Sequence, residues 1–364
     1  MAMNRAGRAP AWIGGLAVLA VMPFAAGAQQ PPVITLKPAN GKRDLAGVSS
    51  VRELADGRVI VTNGRVNRID LLDLAQGAMT QIGQVPGHPK DFVTAGLIFP
   101  FYHDSSLMMI LGPSDLSCTW VMFDGITVLG VVPNESPLIT AVTRLHGGTD
   151  TAGHILATQV SHHTPGEPLQ GTDSVYLVLV DHGTAVPDTV AHLAQYSGPG
   201  RVFHHGDSLD AFSPPMESAA VAPDGWIAVV RVNPYRVDWR SPDGQWVHGA
   251  PIPVSTAPLT AAEKKLDMPF LAQYASGVRW PAAVPPIQGE PATFATPDGY
   301  VLVGRPASLA HPGQNYDVID RHGLLVGMIA LAKDWSVRAF GAHAVYVVDR
   351  KDNDSATLER HPWP

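Results

Sequence analysis

Residues 217–252 decide the fold. They run Glu217-Ser-Ala-Ala-Val-Ala-Pro-Asp-Gly-Trp-Ile-Ala-Val-Val-Arg231, then Val-Asn-Pro234, then Tyr235-Arg-Val-Asp-Trp-Arg240, then Ser-Pro-Asp-Gly-Gln-Trp-Val-His248. The Asp-Gly and Asn-Pro dipeptides form turns, because Gly adopts positive φ and short polar side chains cap turns. Four β-type runs separated by tight turns predict one four-stranded antiparallel meander.

The same unit recurs along the chain. Residues 290–331 and 47–83 repeat it with the turns Asp298-Gly299 and Asp56-Gly57. Two weaker copies lie at about 92–133 and 139–193. Repetition of a supersecondary unit at this spacing is typical of an array of stacked sheets.

The last copy, residues 336–361, has only three strands before the chain ends. A ring of sheets must close to hide its edge strands. We therefore expect the apolar run Val33–Lys37 to supply the missing outer strand. The prediction is an all-β, six-bladed β-propeller of four-stranded antiparallel blades, closed by the N-terminal strand joining the last blade; a two-sheet sandwich is the alternative.

Three stretches carry a family resemblance. Tyr316-Asp-Val-Ile-Asp-Arg-His-Gly-Leu-Leu-Val-Gly327, followed by Val345-Tyr-Val-Val348, resembles the C-terminal part of bacterial secreted six-bladed β-propellers of the NHL-like kind, and Leu54-Ala-Asp-Gly-Arg-Val-Ile-Val-Thr62 fits their first blade. The resemblance covers about 47–364. It implies the fold and almost no chemistry, because this family is largely without assigned activity.

Composition bounds the function classes. The 364 residues carry a formal charge of −7, with 45 % hydrophobic and 16 % charged residues, which is typical of a globular protein. The acidic balance argues against a nucleic-acid partner. Cys118 is the one cysteine, so an intramolecular disulfide framework and a cysteine-based zinc site are excluded.

The first 28 residues predict a secretory signal peptide. Arg5 and Arg8 form a positive start, Trp12 to Ala26 an apolar stretch, and Ala26-Gly-Ala28 a cleavage pattern. An uncleaved anchor is the alternative. We expect a periplasmic or extracellular protein without a stable membrane span after processing, in which residues 29–364 form the propeller.

Long connections predict where binding takes place. In a propeller of this order, the connections 161–173, 195–216 and 253–289 fall on one face, and elaborated loops on a rigid scaffold commonly bind ligands. The insertion at about 253–289 begins a short helix at Thr260-Ala-Ala-Glu263, a capping-box pattern. A plug over the channel mouth and a substrate lid both fit this insertion.

Two blades repeat a charged pair on that face. Each pair has a glutamate before the inner strand and an arginine at the end of the second strand, and a tyrosine begins the third strand. The predicted ligand-binding residues are Glu217, Arg231, Tyr235, Glu290, Arg305 and Tyr316. An arginine there could bind a polar ligand through its planar fork. Alternatively, each arginine cross-links blades through its own or a neighbouring glutamate.

Metal and catalytic motifs are weak. The pairs His162-His163 and His204-His205 and the acidic turn at Asp349–Asp354 fit solvated loops, and no nucleophile elbow is present. No catalytic residue, metal site or cofactor is predicted. The sequence favours an exported, non-catalytic propeller that binds a small polar ligand or a protein partner. The alternative is a Ca²⁺-dependent hydrolase or lyase of the lactonase-like propeller kind, so whether the chain is an enzyme stays open, as does its oligomeric state.

Overall fold

The structure is a computed structural model, and it is all-β across the part of the chain that it describes. The described residues are 31–63, 66–84, 94–100, 105–111, 118–132, 144–160, 175–181, 187–193, 209–210, 217–254, 258, 260–262, 278–279, 293–306, 313–351 and 355–363. Within them, no helix has the length and apolar character needed to span a bilayer.

Twenty-four strands form six four-stranded antiparallel sheets, here called blades 1 to 6. Blade 1 contains β2 (Ser50–Glu53), β3 (Val59–Asn63), β4 (Arg68–Asp73) and β5 (Ala78–Gln84). Blade 2 contains β6 (Thr94–Pro100), β7 (Ser105–Leu111), β8 (Cys118–Asp124) and β9 (Thr127–Val132). Blade 3 contains β10 (Arg144–Thr149), β11 (His154–Val160), β12 (Val175–Asp181) and β13 (Pro187–Leu193).

The second half of the ring repeats this order. Blade 4 contains β15 (Ser218–Val221), β16 (Ile227–Val232), β17 (Tyr235–Arg240) and β18 (Trp246–His248). Blade 5 contains β20 (Thr293–Ala295), β21 (Val301–Arg305), β22 (Asn315–Ile319) and β23 (Leu325–Ala330). Blade 6 contains β24 (Trp335–Phe340), β25 (Ala344–Arg350), β26 (Ala356–Pro362) and β1 (Gly41–Leu45). A short parallel pair, β14 (Leu209–Asp210) and β19 (Val278–Arg279), lies outside the blades.

The first strands of the blades face a common axis. β2, β6, β10, β15, β20 and β24 each supply residues to one central cavity, and β2 contacts both β6 and β24. The sheets therefore form a closed ring, which confirms the six-bladed propeller and rules out the two-sheet sandwich.

The predicted Asp-Gly turns join the first and second strands of three blades. In blade 1 the Leu54 amide donates to the Arg58 carbonyl at 2.8 Å, and the Gly57 amide donates to the Leu54 carbonyl at 2.9 Å. Gly57 and Gly225 both have φ of 85°, a left-handed conformation that side chains other than Gly rarely adopt. The turn residues thus fix the strand order seen in the sequence repeat.

Apolar residues pack between neighbouring blades, at boundaries that we call seams. Each apolar core cluster at a seam draws residues from two blades. Trp239 and Val230 of blade 4, for example, pack with Val301 and Ile319 of blade 5, and all four side chains are buried. Equivalent clusters join blades 1 and 2, 3 and 4, 5 and 6, and 6 and 1. Each blade of a ring has a neighbouring blade on both of its faces, so apolar residues are expected on both faces of its sheet.

The strand that closes the ring differs from the predicted one. β1, not Val33–Lys37, pairs antiparallel with β26, from Gly41 opposite Arg360 to Leu45 opposite Ala356. Val33 instead forms a parallel bridge with Met328 on the outer strand of blade 5, and Ile34 packs onto the seam between blades 5 and 6. The closing strand is polar because it is an edge strand, and edge strands tolerate charge.

Candidate functional site

The central channel holds a cavity of about 240 Å³. All six inner strands line it, so no single blade defines it. Its wall is mixed: apolar side chains come from Val51, Ile98, Phe294 and Phe340, and hydroxyls come from Ser50, Thr149, Ser218 and Thr293. Concave cavities of this mixed composition are the usual sites for small molecules.

Hydroxyl groups of the channel wall also tie blades together. The Ser218 and Thr293 hydroxyls share a hydrogen bond of 2.7 Å between blades 4 and 5. The Thr149 hydroxyl donates to the Pro100 carbonyl between blades 3 and 2. These bonds hold the inner strands in fixed positions around the cavity, which makes the cavity a preformed one.

Among the residues that the structure describes, two arginines line the channel. Arg52, on β2, is buried, and its Nη1 donates to the Ser106 hydroxyl of blade 2 at 2.6 Å. Arg338, on β24, sits where the pairing register between β24 and β25 shifts between Val337 and Ala339. Such a bulge bends the strand and redirects the side chain at that point.

Arg338 is half-buried in the channel wall. Within the described part of the chain, its Nε has no hydrogen-bond partner and its guanidinium forms no ion pair with a carboxylate. Burial, together with the positive charge of Arg350, lowers the pKa of the Arg338 guanidinium below its ordinary value. The channel wall therefore contains a partly buried positive charge that the described residues do not neutralise.

Glu53 is the one carboxylate among the described channel residues, and it is engaged by blade 6. Its carboxylate accepts a hydrogen bond from the Tyr346 hydroxyl and one of 3.3 Å from the Ala342 amide, and Arg360 lies 4.0 Å away. A side chain at Gly341 would collide with it, since a Cβ there would lie 2.0 Å from Glu53 Oε2. Glu53 thus fastens blade 1 to blade 6, and within the described residues it forms no ion pair with Arg338.

The predicted pair of blade 4 meets as an ion pair. Arg231 Nη1 lies 2.7 Å from Glu217 Oε2 and donates at 3.0 Å to the His192 carbonyl of blade 3. Its Nε also faces Asp238 at 3.4 Å. These contacts are the ones that the cross-linking alternative describes.

The predicted residues of blade 5 meet a different carboxylate. Arg305 Nη1 lies 3.1 Å from Asp317 Oδ2, and the Tyr235 hydroxyl of blade 4 donates to the same oxygen at 2.8 Å. The Arg305 guanidinium also lies 5.4 Å from the centre of the Tyr235 ring. Burial raises the pKa of Asp317, while Arg305 and Tyr235 oppose that rise. Tyr235 therefore joins Arg305 at a buried seam network.

The remaining predicted residues lie elsewhere. Tyr316 is fully buried, and its hydroxyl accepts a hydrogen bond of 3.2 Å from the Val337 amide. Burial raises the pKa of Tyr316 well above its ordinary value. Glu290 lies outside the described residues, as do the histidine pairs and most of the 253–289 insertion. Of the six predicted residues, the five that the structure describes are absent from the channel wall, and their role in ligand binding stays a prediction.

Sequence reasoning missed a repeated buried carboxylate on the third strand of four blades. In each case the acid stands opposite a valine of the second strand, and all four are buried: Asp70 opposite Val61, Asp238 opposite Val229, Asp317 opposite Val303 and Glu359 opposite Val347. Each has a cation nearby, such as Arg68 at 2.7 Å from Asp70 and Lys42 at 2.5 Å from Glu359. The Arg-X-Asp spacing in blades 1 and 4 was the pattern that could have revealed them.

The described residues contain no cluster of three or more histidine, cysteine or acidic side chains placed to hold a metal. Ca²⁺ usually takes six to eight oxygen ligands, several from carboxylates. The described channel offers only Glu53, which is bound to blade 6, and a few hydroxyls. This donor set does not fit a Ca²⁺ site.

No protein-family model matches the sequence, and no curated protein matches it. Among solved structures, virginiamycin B lyase from Staphylococcus aureus is similar at 9 % identity and a TM-score of 0.43, covering 88 % of this chain and 98 % of that one. Regucalcin from Agrobacterium tumefaciens is similar at 14 % identity and a TM-score of 0.41, covering 91 % of this chain and 98 % of that one. A gluconolactonase from Xanthomonas campestris is similar at 11 % identity and a TM-score of 0.43, covering 92 % of this chain and 95 % of that one.

These similar structures are six-bladed-like propeller proteins. The class of protein is defined by the chain's own blade order and ring closure: it is a six-bladed β-propeller with a cavity on its axis. At these identities and TM-scores the similar structures carry no activity over to this chain.

Proposed function

We propose that this chain is an exported β-propeller that binds a small polar ligand in its central channel without catalysing a reaction on it. The observation that carries the proposal is the cavity itself, which six inner strands line with both apolar surface and hydroxyl groups. Its volume of about 240 Å³ is below the roughly 300–1,000 Å³ of sites for drug-sized molecules. A small molecule is therefore a better fit than a peptide or a nucleotide.

Rigid surroundings support binding in the channel. Hydrogen bonds between Ser218 and Thr293, and between Thr149 and Pro100, fix neighbouring inner strands. A preformed cavity needs little ordering when its ligand enters, so more of the interaction energy appears as affinity. The export step rests on residues 1–28 and is part of the same proposal.

A channel-filling substitution tests the location. Ala295 lines the channel, and Ala295→Leu adds volume there, whereas Ala78→Leu adds the same atoms to an exposed position on an outer strand. Binding is measured by titration calorimetry with an anion (benzoate), a cation (benzylammonium) and two neutral molecules (benzyl alcohol and glucose). We expect at least one probe to bind the wild type and the Ala78→Leu variant and to lose binding in Ala295→Leu. Binding that is unchanged in Ala295→Leu, or no binding by any probe, contradicts the proposal.

Ca²⁺-dependent hydrolysis or lyase chemistry is the second function. Its support is that solved structures similar to the chain include a gluconolactonase and a virginiamycin B lyase, at the low identities given above. The described channel donors do not fit Ca²⁺, so we derive no step through a metal. Hydrolysis of gluconolactone that requires added Ca²⁺ and stops with a chelator would favour this function over binding alone.

A further inference from the structure

We propose that the channel ligand is a small organic anion with an apolar body, and that Arg338 is its counter-ion. This inference rests on the proposed function, because it names the class of ligand for the same cavity. It is carried by the positive charge of Arg338, the bulge at Arg338 and the apolar surface of the same cavity.

Arg338 gives the channel wall a positive charge that no carboxylate of the described residues pairs with. The described lining contains two arginines and one carboxylate, and the carboxylate of Glu53 is held by Tyr346, the Ala342 amide and Arg360 of blade 6. A buried charge is costly unless a charge of opposite sign or hydrogen bonds compensate it. An anion that enters the cavity would compensate Arg338, so its binding gains energy that a neutral molecule does not gain.

The backbone places Arg338 at the channel. The pairing register between the first and second strands shifts in blades 2, 3 and 6, and in blade 6 the shift falls at Arg338. The preceding amide, that of Val337, donates to the Tyr316 hydroxyl of blade 5, and Tyr316 is itself fully buried. Tyr316 is therefore a positioning residue, since it anchors the bulge from the neighbouring blade.

An arginine suits this role better than a lysine would. Its planar guanidinium offers several donors in a fixed fork, which matches the two oxygens of a carboxylate. It also remains charged when its pKa is lowered, as burial and Arg350 lower it here, because its ordinary value is far above neutrality. The site thus presents a permanent cation.

Aromatic side chains of blades 5 and 6 supply the apolar part of the site. Phe294 and Phe340 both line the cavity, with their ring centres 6.2 Å apart, and Val51 and Ile98 line it from blades 1 and 2. An inorganic anion would leave this apolar surface unused. A carboxylate attached to a compact apolar body would satisfy both parts of the cavity.

Matched probes separate the charge from the body. Benzoate and benzyl alcohol share the ring but differ in charge, and inorganic phosphate has charge without the ring. Titration calorimetry should show that the wild type binds benzoate about ten- to hundredfold more tightly than benzyl alcohol, as expected for a charge-assisted hydrogen bond. Phosphate should bind more weakly than benzoate.

Two variants of equal charge assign the preference to one residue. Arg338→Gln should abolish the preference for benzoate, whereas Arg350→Gln removes a neighbouring exposed charge of the same blade and should leave the preference intact. Arg338→Lys keeps the charge without the fork and should keep part of the preference, which provides a second test if the glutamine variant does not fold.

The outcomes distinguish this inference from the proposed function. If benzyl alcohol binds as tightly as benzoate, or if Arg338→Gln retains the preference, the channel binds a ligand but Arg338 is not its counter-ion. If phosphate binds as tightly as benzoate, the ligand is not an organic anion. If no probe of any charge binds, both the inference and the proposed function fail.

Discussion

Buried charged side chains have different partners at the seams between the blades and in the central channel. At the seam between blades 4 and 5, Asp317 is buried and is contacted by Arg305 and the Tyr235 hydroxyl. In the channel, Arg338 forms no ion pair with a carboxylate of the described part of the chain. Both positions are built by strands of the same repeat, so the fold alone does not require an unpaired charge.

This difference indicates which polar groups stabilise the fold. Side-chain hydrogen bonds that cross seams have partners on both sides, such as Thr151 with the Pro223 carbonyl at 2.8 Å and Trp239 with the Asp320 carbonyl at 2.7 Å. A buried group with a partner stabilises the fold, whereas a buried charge without one costs stability. A costly group at a preformed cavity is therefore a better candidate for binding than any group at a seam.

The largest effect should come from the seam that closes the ring. A chain that begins at Ala46 lacks β1, so it leaves the edge of β26 unpaired and exposes the apolar partners of Leu45. We expect a loss of more than about 3 kcal/mol in the free energy of unfolding and a tendency to aggregate.

A chain that begins at Asn40 is the matched control, because it keeps β1 and lacks the bridge between Val33 and Met328. It should unfold at a temperature between those of the wild type and the shorter chain. Equal urea-unfolding curves for both truncated chains would show that β1 does not close the ring.

A smaller loss should follow from Tyr235→Phe. The substitution removes the hydroxyl that donates to the buried Asp317 and leaves the ring packing in place. Loss of one hydrogen bond to a buried charged group should cost about 1–3 kcal/mol. Tyr300→Phe is the control at a half-buried position, and it should change urea unfolding little. If the two variants are equally stable, the seam network does not contribute as described.

Two aspartates should respond to pH with opposite signs. Burial raises the pKa of Asp317, so its contribution to stability is present below the ordinary value of 3.8 and is lost as pH rises through the folded pKa. Burial would also raise the pKa of Asp238, but the hydrogen bond and charge of Arg236, aided by His248, lower it. The contribution of Asp238 is therefore present above 3.8 and is lost as pH falls through the folded pKa.

Thermal unfolding of Asp317→Asn and Asp238→Asn between about pH 3 and pH 7 measures this difference. The stability difference between the wild type and Asp317→Asn should shift against the wild type as pH rises. The difference between the wild type and Asp238→Asn should shift in favour of the wild type as pH rises. Parallel pH profiles for the two variants would contradict the assigned pKa directions.

The smallest effect should come from an exposed pair. Arg58 lies 2.6 Å from Asp56 in the first turn of blade 1, and both side chains are substantially exposed. Such pairs contribute about 0–1 kcal/mol, because water screens them and the side chains lose freedom. Arg58→Gln should thus shift the melting temperature far less than Tyr235→Phe; a comparable shift would mean that exposed pairs stabilise this fold as much as buried ones.

The fold could be predicted from the sequence because turn residues and apolar runs repeat along the chain. Asp56-Gly57, Asp224-Gly225 and Asp298-Gly299 mark equivalent turns, and the structure places each between the first two strands of a blade. The closing strand was mispredicted because Val33–Lys37 has the apolar character of a strand, whereas Gly41–Leu45 is polar. β1 closes the ring because its backbone pairs with the edge of β26, and not because it buries an apolar face. Backbone pairing of this kind is not visible in the hydrophobicity of the sequence.

The channel residues could not be predicted in the same way. Arg338 lies within Trp335–Phe340, at a register shift that depends on the pairing with β25. The sequence singled out Arg231 and Arg305 because they recur at the same place in two blades. Repetition marks what every blade needs for its structure, whereas a single binding site on the axis of a ring depends on residues that do not repeat.

The most direct test of the account compares an arginine of a seam with the arginine of the channel. Thermal unfolding of Arg305→Gln and Arg338→Gln, measured side by side without added ligand, removes one charge in each case. Arg305→Gln should lower the melting temperature, because it leaves the buried Asp317 without its cation. Arg338→Gln should leave the melting temperature unchanged or raise it, because it removes a charge that the described residues do not pair. A fall in Arg338→Gln as large as that in Arg305→Gln would show that Arg338 stabilises the fold, and would contradict the account.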